Sequence, residues 1–545
     1  MTQSSAPGAT RMLDVVVVGA GFAGMYLLHK LRGLGFTARV YEAGEGVGGT
    51  WFWNRYPGAR VDVESHEYSY SFSDELEEEW QWTERYASQP ELLRYANHVA
   101  DRFNLRPDIE LNTRVTTAHY DEISRRWTVT TDKGEHISAR FCVMATGCLS
   151  AVNEPNFPGQ DSFKGATYQT SRWPTEGVDL TGLRVGVIGT GSSAIQSIPL
   201  IAEQAAHLTV FQRTPNYSVP AQNRPPDPAV MADWKANRAH YRHLERVSSG
   251  GFLSSNPNEQ SALEVSEEER NRIFEERWAI GGFTIGAAFN DLVATPEANA
   301  TIAEFAARKI RSIVKDPKTA DILTPKTYPF ATKRLCVDTD YYATYNRPNV
   351  SLVDLIETPI KEITPTGIST TDADYPLDVI VYAIGFDAMT GALTRIDIRG
   401  KGGQSLKDTW AEGPKTYLGL AVHGFPNLFT ITGPGSPSVL SSMIVSIEQH
   451  VDWIADCLVS LRGRQVDQID VDPAAQDAWV AHVNEVAAPT LYPQANSWYL
   501  GANIPGKPRV FMPYVGGVGV YREKCDEVAA KGYEGFVLSS AGQAA

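Results

Sequence analysis

Two glycine clusters carry the first chemistry legible in this chain of 545 residues: Gly19-Ala20-Gly21-Phe22-Ala23-Gly24 and Gly189-Thr190-Gly191-Ser192-Ser193-Ala194. A turn of this kind between a strand and a helix offers a pyrophosphate unpaired backbone N–H groups and the positive end of a helix dipole. Gly19 permits the tight turn, Gly21 lets the backbone approach the phosphates, and Gly24 lets helix and strand pack closely. Glu42, 23 residues after Gly19, can accept hydrogen bonds from a ribose diol. The residue 23 after Gly189 is instead Gln212, followed by Arg213 and Thr214. A carboxylate there would repel a 2′-phosphate, whereas a guanidinium grips one bidentately. The first cluster therefore suits a dinucleotide with an unphosphorylated adenosine ribose, and the second suits NADP(H). Two such folds in one chain imply hydride transfer from NADPH to a bound flavin.

The elements that must position these groups follow from periodicity. Asp14–Val18 reads as a strand and Met25, Leu27, Leu28 and Leu31 as one face of a helix, with a second strand at Ala38–Tyr41. The pattern recurs as strand Arg184–Ile188, a helix through Ile195, Ile198 and Leu200, and strand Leu208–Gln212. Two further apolar runs, Phe141 to Gly147 and Val379 to Gly385, end in glycine and read as the chain crossing between two domains. The fold class is α/β, with two Rossmann-like dinucleotide-binding domains and a helical insertion. Residues 1–150 form the first part of the FAD domain, 151–218 and 331–385 the two parts of the NADP domain, and 386–545 the second part of the FAD domain. Residues 219–330 form the insertion, where Ser266-Glu267-Glu268-Glu269 reads as a capping box opening an amphipathic helix.

Composition excludes several classes. A net charge of −15 argues against nucleic acid, and the 14-residue apolar stretch Val15–Leu28 is short of a membrane span. Five cysteines without C-x2-C spacing argue against a disulfide framework, a metal site and a redox dithiol, and fit a reducing cytoplasm. His240 and His243 share a helix face but lack a third ligand. The first ten residues read as a frayed tail, and Glu75 to Glu79 as a solvated acidic face.

The segment Gly48-Gly49-Thr50-Trp51-Phe52-Trp53-Asn54-Arg55-Tyr56-Pro57-Gly58-Ala59-Arg60-Val61-Asp62 is an aromatic wall that could exclude water, or ordinary core. It resembles the G-G-x-W-x-x-N-R-Y-P-G-x-x-x-D pattern of the Baeyer–Villiger flavin monooxygenases. Phe163 to Pro174 is similar to their F-x-G-x-x-x-H-x-x-x-W-P fingerprint, with Gln169 at the histidine position and Trp173-Pro174 retained. An amide keeps hydrogen bonding but does not titrate near neutrality. The resemblance spans residues 12 to about 540. It implies that NADPH reduces FAD, that O2 adds to form a flavin peroxide, and that the peroxide attacks a ketone to give an ester or lactone. A fixed cation suits the peroxide anion, because arginine stays charged without readily donating its proton.

The family position for that cation falls on Arg334, with Asp62 orienting it and Lys333 reaching the 2′-phosphate. On residue chemistry alone, Lys333 and Arg334 read equally as a surface basic pair. The resemblance assigns cofactor contacts to Gly19, Gly21, Ala23, Gly24, Glu42, Gly49, Thr50, Trp51, Asp62, Tyr68, Val115 and Met443. It assigns others to Gly189, Thr190, Gly191, Ser192, Ser193, Ala194, Gln196, Arg213, Thr214, Lys333, Arg334 and Trp498. Trp498 matches a tryptophan closing over NADP, in a proline- and glycine-rich stretch, about 491–508, that reads independently as a mobile loop. The apolar run Val439 to Ile447 reads as a helix whose start faces the flavin, with Leu440 and Met443 lining the pocket or serving as core. The implied partners are a small ketone and O2, with no nucleic acid or membrane, in a monomer or weak oligomer. The alternatives are a sulfide- or amine-oxidising flavin monooxygenase and a catalytically silent NADPH-binding sensor.

Overall fold

The computed structural model describes residues 10–540; the predicted N-terminal tail lies outside that range but for its last residue. Strand Arg11–Val18 buries Val15, Val16 and Val17 completely, as expected of a parallel strand covered on both faces. It pairs in parallel with Ala38–Tyr41 on one side and His136–Met144 on the other. The eight-stranded sheet runs Asp397–Arg399, Val115–Asp121, Arg126–Thr131, His136–Met144, Arg11–Val18, Ala38–Tyr41, Ile109–Glu110, with Leu428–Thr430 also joined to His136–Met144. A second sheet holds five parallel strands in the order Val350–Asp354, His207–Gln212, Arg184–Ile188, Val379–Tyr382, Ala166–Gln169. Each sheet takes strands from two separated stretches, so the chain leaves the first sheet, builds the second, and returns.

Helix Phe22–Gly33 is buried over most of its surface because it lies between the first sheet and the long helix Met443–Gly463. Leu27, Leu28 and Leu31 are fully buried, each contributing about 1.5–3 kcal/mol. Asp452 on the long helix accepts from Tyr26 Oη and Lys30 Nζ, both at 2.7 Å. The strand ends Met144 and Tyr382 lead into two crossings that run antiparallel against each other. Met389 N donates to Cys148 O and Asp387 N to Ala151 O, both at 2.8 Å, and Asn153 N donates to Gly385 O at 3.2 Å.

The intervening stretch contributes helices Pro228–Ala236, Arg238–Val247, Glu267–Ile280, Pro296–Ile313 and Pro317–Leu323. Four of the five starts are set by side-chain caps: Asp227, Ser266, Thr295 and Asp316 each accept from a first-turn N–H. Strand Cys336–Asp338 pairs in parallel with Ser218–Pro220, which fixes the backbone just after Arg334.

Three expectations change. Val439 to Ile447 is not one helix: Ser438–Leu440 is a short 3-10 turn, and the α-helix begins at Met443. Ser438 has φ +31°, and the Ser441 hydroxyl bonds back to Ser438 O at 2.7 Å, so local side-chain bonding ends the first turn. The acidic cluster is not wholly solvated, because Glu77 turns inward onto the buried Arg242, at 3.0 Å. The strand expected over Leu208–Gln212 begins one residue earlier, at His207.

Candidate active site

The two glycine turns are built alike. Gly19 has φ +105°, and a Cβ there would stand 2.5 Å from Ala145 O; Gly189 has φ +112°, and a Cβ would stand 2.4 Å from Ala383 O. Each turn thus rests on the first residue of a crossing segment, and neither site admits a side chain. A Cβ on Gly24 would meet Gly19 O at 1.9 Å, which is the close helix–strand contact the motif requires. Ala194 fills the corresponding place in the second turn and is fully buried. Gly191 has no neighbour within 4 Å of a hypothetical Cβ, so backbone there is open to a ligand.

In the first turn, Glu42 is 6% exposed and accepts from Ala20 N at 2.7 Å and Gly44 N at 2.8 Å. Ala23 lies on the buried face of the helix that follows. Gly49, φ +54°, approaches Gly21 so closely that a Cβ would lie 2.8 Å from Gly21 Cα. Exposed Thr50 opens the short helix Thr50–Trp53, which turns Trp51 inward to donate from Nε1 to Tyr68 Oη at 3.3 Å. Trp53 faces outward, so the expected aromatic wall is formed by Trp51 and Phe52. Val115 is buried at the start of its strand, two residues past the Thr113 N–H that donates to Glu42 O at 2.8 Å.

In the second turn, Thr190 Oγ1 donates to Thr214 O at 2.9 Å, which fixes the chain just after Arg213. Ser192 Oγ lies 3.3 Å from Cys336 Sγ, and Ser193 Oγ 3.1 Å from Thr170 Oγ1. Gln196 accepts from Tyr56 Oη at 2.8 Å and donates to Arg60 O at 3.1 Å, tying the helix to the Gly48–Asp62 segment. Gly58, φ +79°, makes that approach possible, since a Cβ would stand 2.4 Å from Gln196 O. Arg55 adds a second tie by donating to Thr175 Oγ1, immediately after Trp173-Pro174. Gln169 Nε2 donates to Asn153 O at 3.2 Å on the first crossing.

Arg213 is exposed and, among the described residues, pairs with no carboxylate. Lys333 lies over the Tyr328 ring at 4.5 Å. Burial, and next the charge of Arg213, push its ammonium down to about 8. Lys333 thus lies within reach of the Arg213 charge, and two neighbouring cations suit a phosphate.

Arg334 stands where the two halves meet. Its Nε and Nη2 donate to Asp62 Oδ2 at 3.1 and 2.5 Å, and its Nη1 donates to Val439 O at 3.0 Å. Phe283, from the insertion, presents its ring 4.8 Å from the guanidinium carbon. About a quarter of the Arg334 side chain is exposed. Burial works against its charge, but Asp62 outweighs it and holds the guanidinium protonated well above the ordinary arginine range. Three of the five N–H groups are engaged by Asp62 and Val439, which leaves others for a ligand.

Residue types alone did not point to Phe283, Tyr499, Tyr492 or Cys148, yet all four bear on Arg334. Tyr499 is 2% exposed; burial raises its phenol and Arg334 pulls it back. Tyr492 and Cys148 also sense the Arg334 charge, after a larger effect of burial. The aromatic cluster Tyr492–Tyr499 beside Trp498 was the available signal. Trp498 itself is half-buried with its ring 4.3 Å from that of Tyr499. Met443 and Leu440 are partly buried against a cluster that includes Cys148, Met389 and Tyr499.

The donor and acceptor set fits a bound dinucleotide at each turn. Ser442 Oγ, at the start of helix Met443–Gly463, and Ser497 Oγ, beside Trp498, are buried hydroxyls without a hydrogen-bond partner among the described residues. Buried polar groups are rarely left so unless a ligand or water completes them.

Two glycine-rich nucleotide turns and an arginine held by Asp62 define a two-dinucleotide oxidoreductase. A pyridine nucleotide-disulphide oxidoreductase family model matches residues 16–240. All five cysteines are free and buried. A steroid monooxygenase bound to NADP is 56% identical with a TM-score of 0.93, over 97% of this chain and 100% of that one. A Baeyer–Villiger monooxygenase from Pseudooceanicola batsensis is 44% identical over 96% of each chain. Phenazine N-monooxygenase from Lysobacter antibioticus is 44% identical over 97% of each. The chain belongs to the Baeyer–Villiger family of flavin monooxygenases.

Proposed function

We propose that this protein uses NADPH and O2 to convert a ketone to an ester or lactone, with balance ketone + O2 + NADPH + H⁺ → ester + NADP⁺ + H2O. The observation that carries the reading is Arg334, held charged by Asp62 at the meeting of the two nucleotide turns. Gly19, Gly21, Gly24, Glu42, Gly49, Thr50, Trp51, Tyr68 and Met443 would hold FAD, which when bound supplies the redox centre that takes hydride and activates O2. Gly189 to Ala194, Gln196, Arg213, Thr214, Lys333 and Trp498 would hold NADPH.

Each residue's part follows from its chemistry. Arg334 offers N–H groups to a negative oxygen and, being firmly protonated, does not surrender a proton that would convert that oxygen into a poorer nucleophile. Asp62 keeps the guanidinium charged and aimed. Phe283, Tyr492 and Tyr499 limit water around it, which strengthens every charge interaction inside. Five buried, unpaired cysteines support a reducing compartment. No helix among the described residues is long and apolar enough to cross a membrane. We read the protein as a cytoplasmic monomer or weak oligomer.

A second reading, oxidation of a ring nitrogen or sulfide, is favoured by one finding, the 44% identity to a phenazine N-monooxygenase over nearly the whole chain. Incubation with NADPH, O2 and a panel of cyclic, aryl and steroid ketones, sulfides and N-heteroarenes, with products analysed by mass spectrometry, separates the two. Esters or lactones support the first reading; N- or S-oxides alone overturn it.

A further inference from the structure

The stretch that carries Trp498 and Tyr499 has little regular structure of its own: two 3-10 turns, Tyr492–Gln494 and Trp498–Leu500, the second followed by Gly501 at φ +71° and Gly506 at φ +78°. Its anchors are side chains. Lys507 Nζ reaches Asp387 Oδ1 at 2.6 Å and Ala388 O at 2.9 Å. The lysine side chain is 12% exposed and the aspartate 23%, so the pair is shielded and removing either partner leaves a poorly solvated charge. Asn503 Nδ2 donates to Phe386 O at 2.8 Å. The Lys507 stem also runs under Gly501, where a Cβ would stand 3.0 Å from Lys507 Cδ.

All three acceptors, Phe386 O, Asp387 Oδ1 and Ala388 O, lie on the second crossing, the strand zipped to the first by Asp387 N–Ala151 O and Met389 N–Cys148 O. The chain passes from the first sheet to the second and back through these two crossings. On the far side of the same stretch, Tyr499 O accepts from Met512 N at 2.9 Å, and the Tyr499 ring packs into the Arg334 cluster. Resting on the reading that Arg334 is in the reaction site, we propose that Lys507 is a positioning residue. By gripping Asp387 and Ala388, it makes the seating of Trp498 and Tyr499 over Arg334 depend on the position of the inter-domain crossing.

The test is amide hydrogen exchange on the flavin-loaded full-length protein, followed with and without NADP⁺, in wild type, K507M, D387N, their double variant, and K507R. We expect K507M and D387N each to speed exchange at residues 497–502 by about tenfold while residues 184–200 stay as in wild type. The double variant should be no faster than either single one, because both remove one contact, and K507R should restore slow exchange. Ester formed per NADPH consumed should fall in K507M and recover in K507R. Unchanged exchange at 497–502, exchange that rises equally throughout the protein, or additive effects of the two singles would each overturn the proposal. A wild type that makes no ester defeats the functional reading instead, and leaves the exchange result to decide the role of Lys507.

Discussion

Replacing Arg213 probes the electrostatic logic that separates the two nucleotide turns. A charge-assisted hydrogen bond is worth about 1.5–3 kcal/mol. Arg213 is exposed, so the lower end applies, and about 1.4 kcal/mol is tenfold in affinity. R213A is therefore expected to raise KM for NADPH about tenfold, and R213E, which adds repulsion, by about a hundredfold, with NADH changed by less than about twofold. The partner cation supplies a second readout. Lys333 is pushed down to about 8 by burial and then by the Arg213 charge, so it carries its charge below that pH and loses it above. In wild type, kcat/KM for NADPH should fall as pH rises through about 8, while kcat/KM for NADH stays flat. In R213A the break should move upward, since one repulsive charge has gone. Initial rates of NADPH and NADH oxidation between pH 7 and 9.5 give all of these quantities. Equal loss for both cofactors in R213E, or the same alkaline break with NADH, would refute the 2′-phosphate role of this pair.

Other expectations are local. G19A should lose bound flavin, and G189A should keep flavin but lose NADPH binding, because a Cβ would stand 2.5 Å from Ala145 O in one and 2.4 Å from Ala383 O in the other; absorbance at 450 nm and cofactor titration check this. D62N should keep flavin and NADPH oxidation but lower ester formation by up to about a hundredfold, with hydrogen peroxide released instead, because Arg334 loses its aim; an unchanged ester yield contradicts it. Glu67 is buried, and burial, then the Glu245 charge, push its carboxyl up from 4.5 to about 8. The folded protein thus holds a proton that the unfolded chain releases, so stability falls as pH rises from about 4.5 to about 8. E67Q retains an acceptor for the Leu253 N–H, now 2.7 Å from Glu67 Oε1, and should melt above wild type at pH 9 but not at pH 5. Calorimetry reads the difference, and a gap of equal size at both pH values would count against it.

The nucleotide turns were legible in the sequence because local pattern determines them. Strand, glycine turn, helix and acid lie within some thirty residues, and steric need makes the glycines obligatory: both Gly19 and Gly189 rest on a carbonyl oxygen. The Arg334–Asp62 pair spans 272 residues, and only resemblance, not residue chemistry, joined the two in advance. Phe283 was unreadable for the same reason, since its neighbours are brought by a helical insertion whose packing leaves no periodic trace. Val439 to Ile447 misled because its apolar residues suggest one helix, whereas the hydroxyls of Ser436, Ser438 and Ser441 bond back to backbone carbonyls and end the first turn. Glu77 misled because a charge run looks the same whether or not an arginine from a distant helix is buried against it.

In the proposed reaction a permanently charged Arg334 makes oxygen transfer to carbon possible. The most direct measurement is ester formed per NADPH consumed by R334A beside wild type. Flavin content and reduction by NADPH should persist while ester formation drops by about 10²–10³. Ester formation near the wild-type rate in R334A would contradict it.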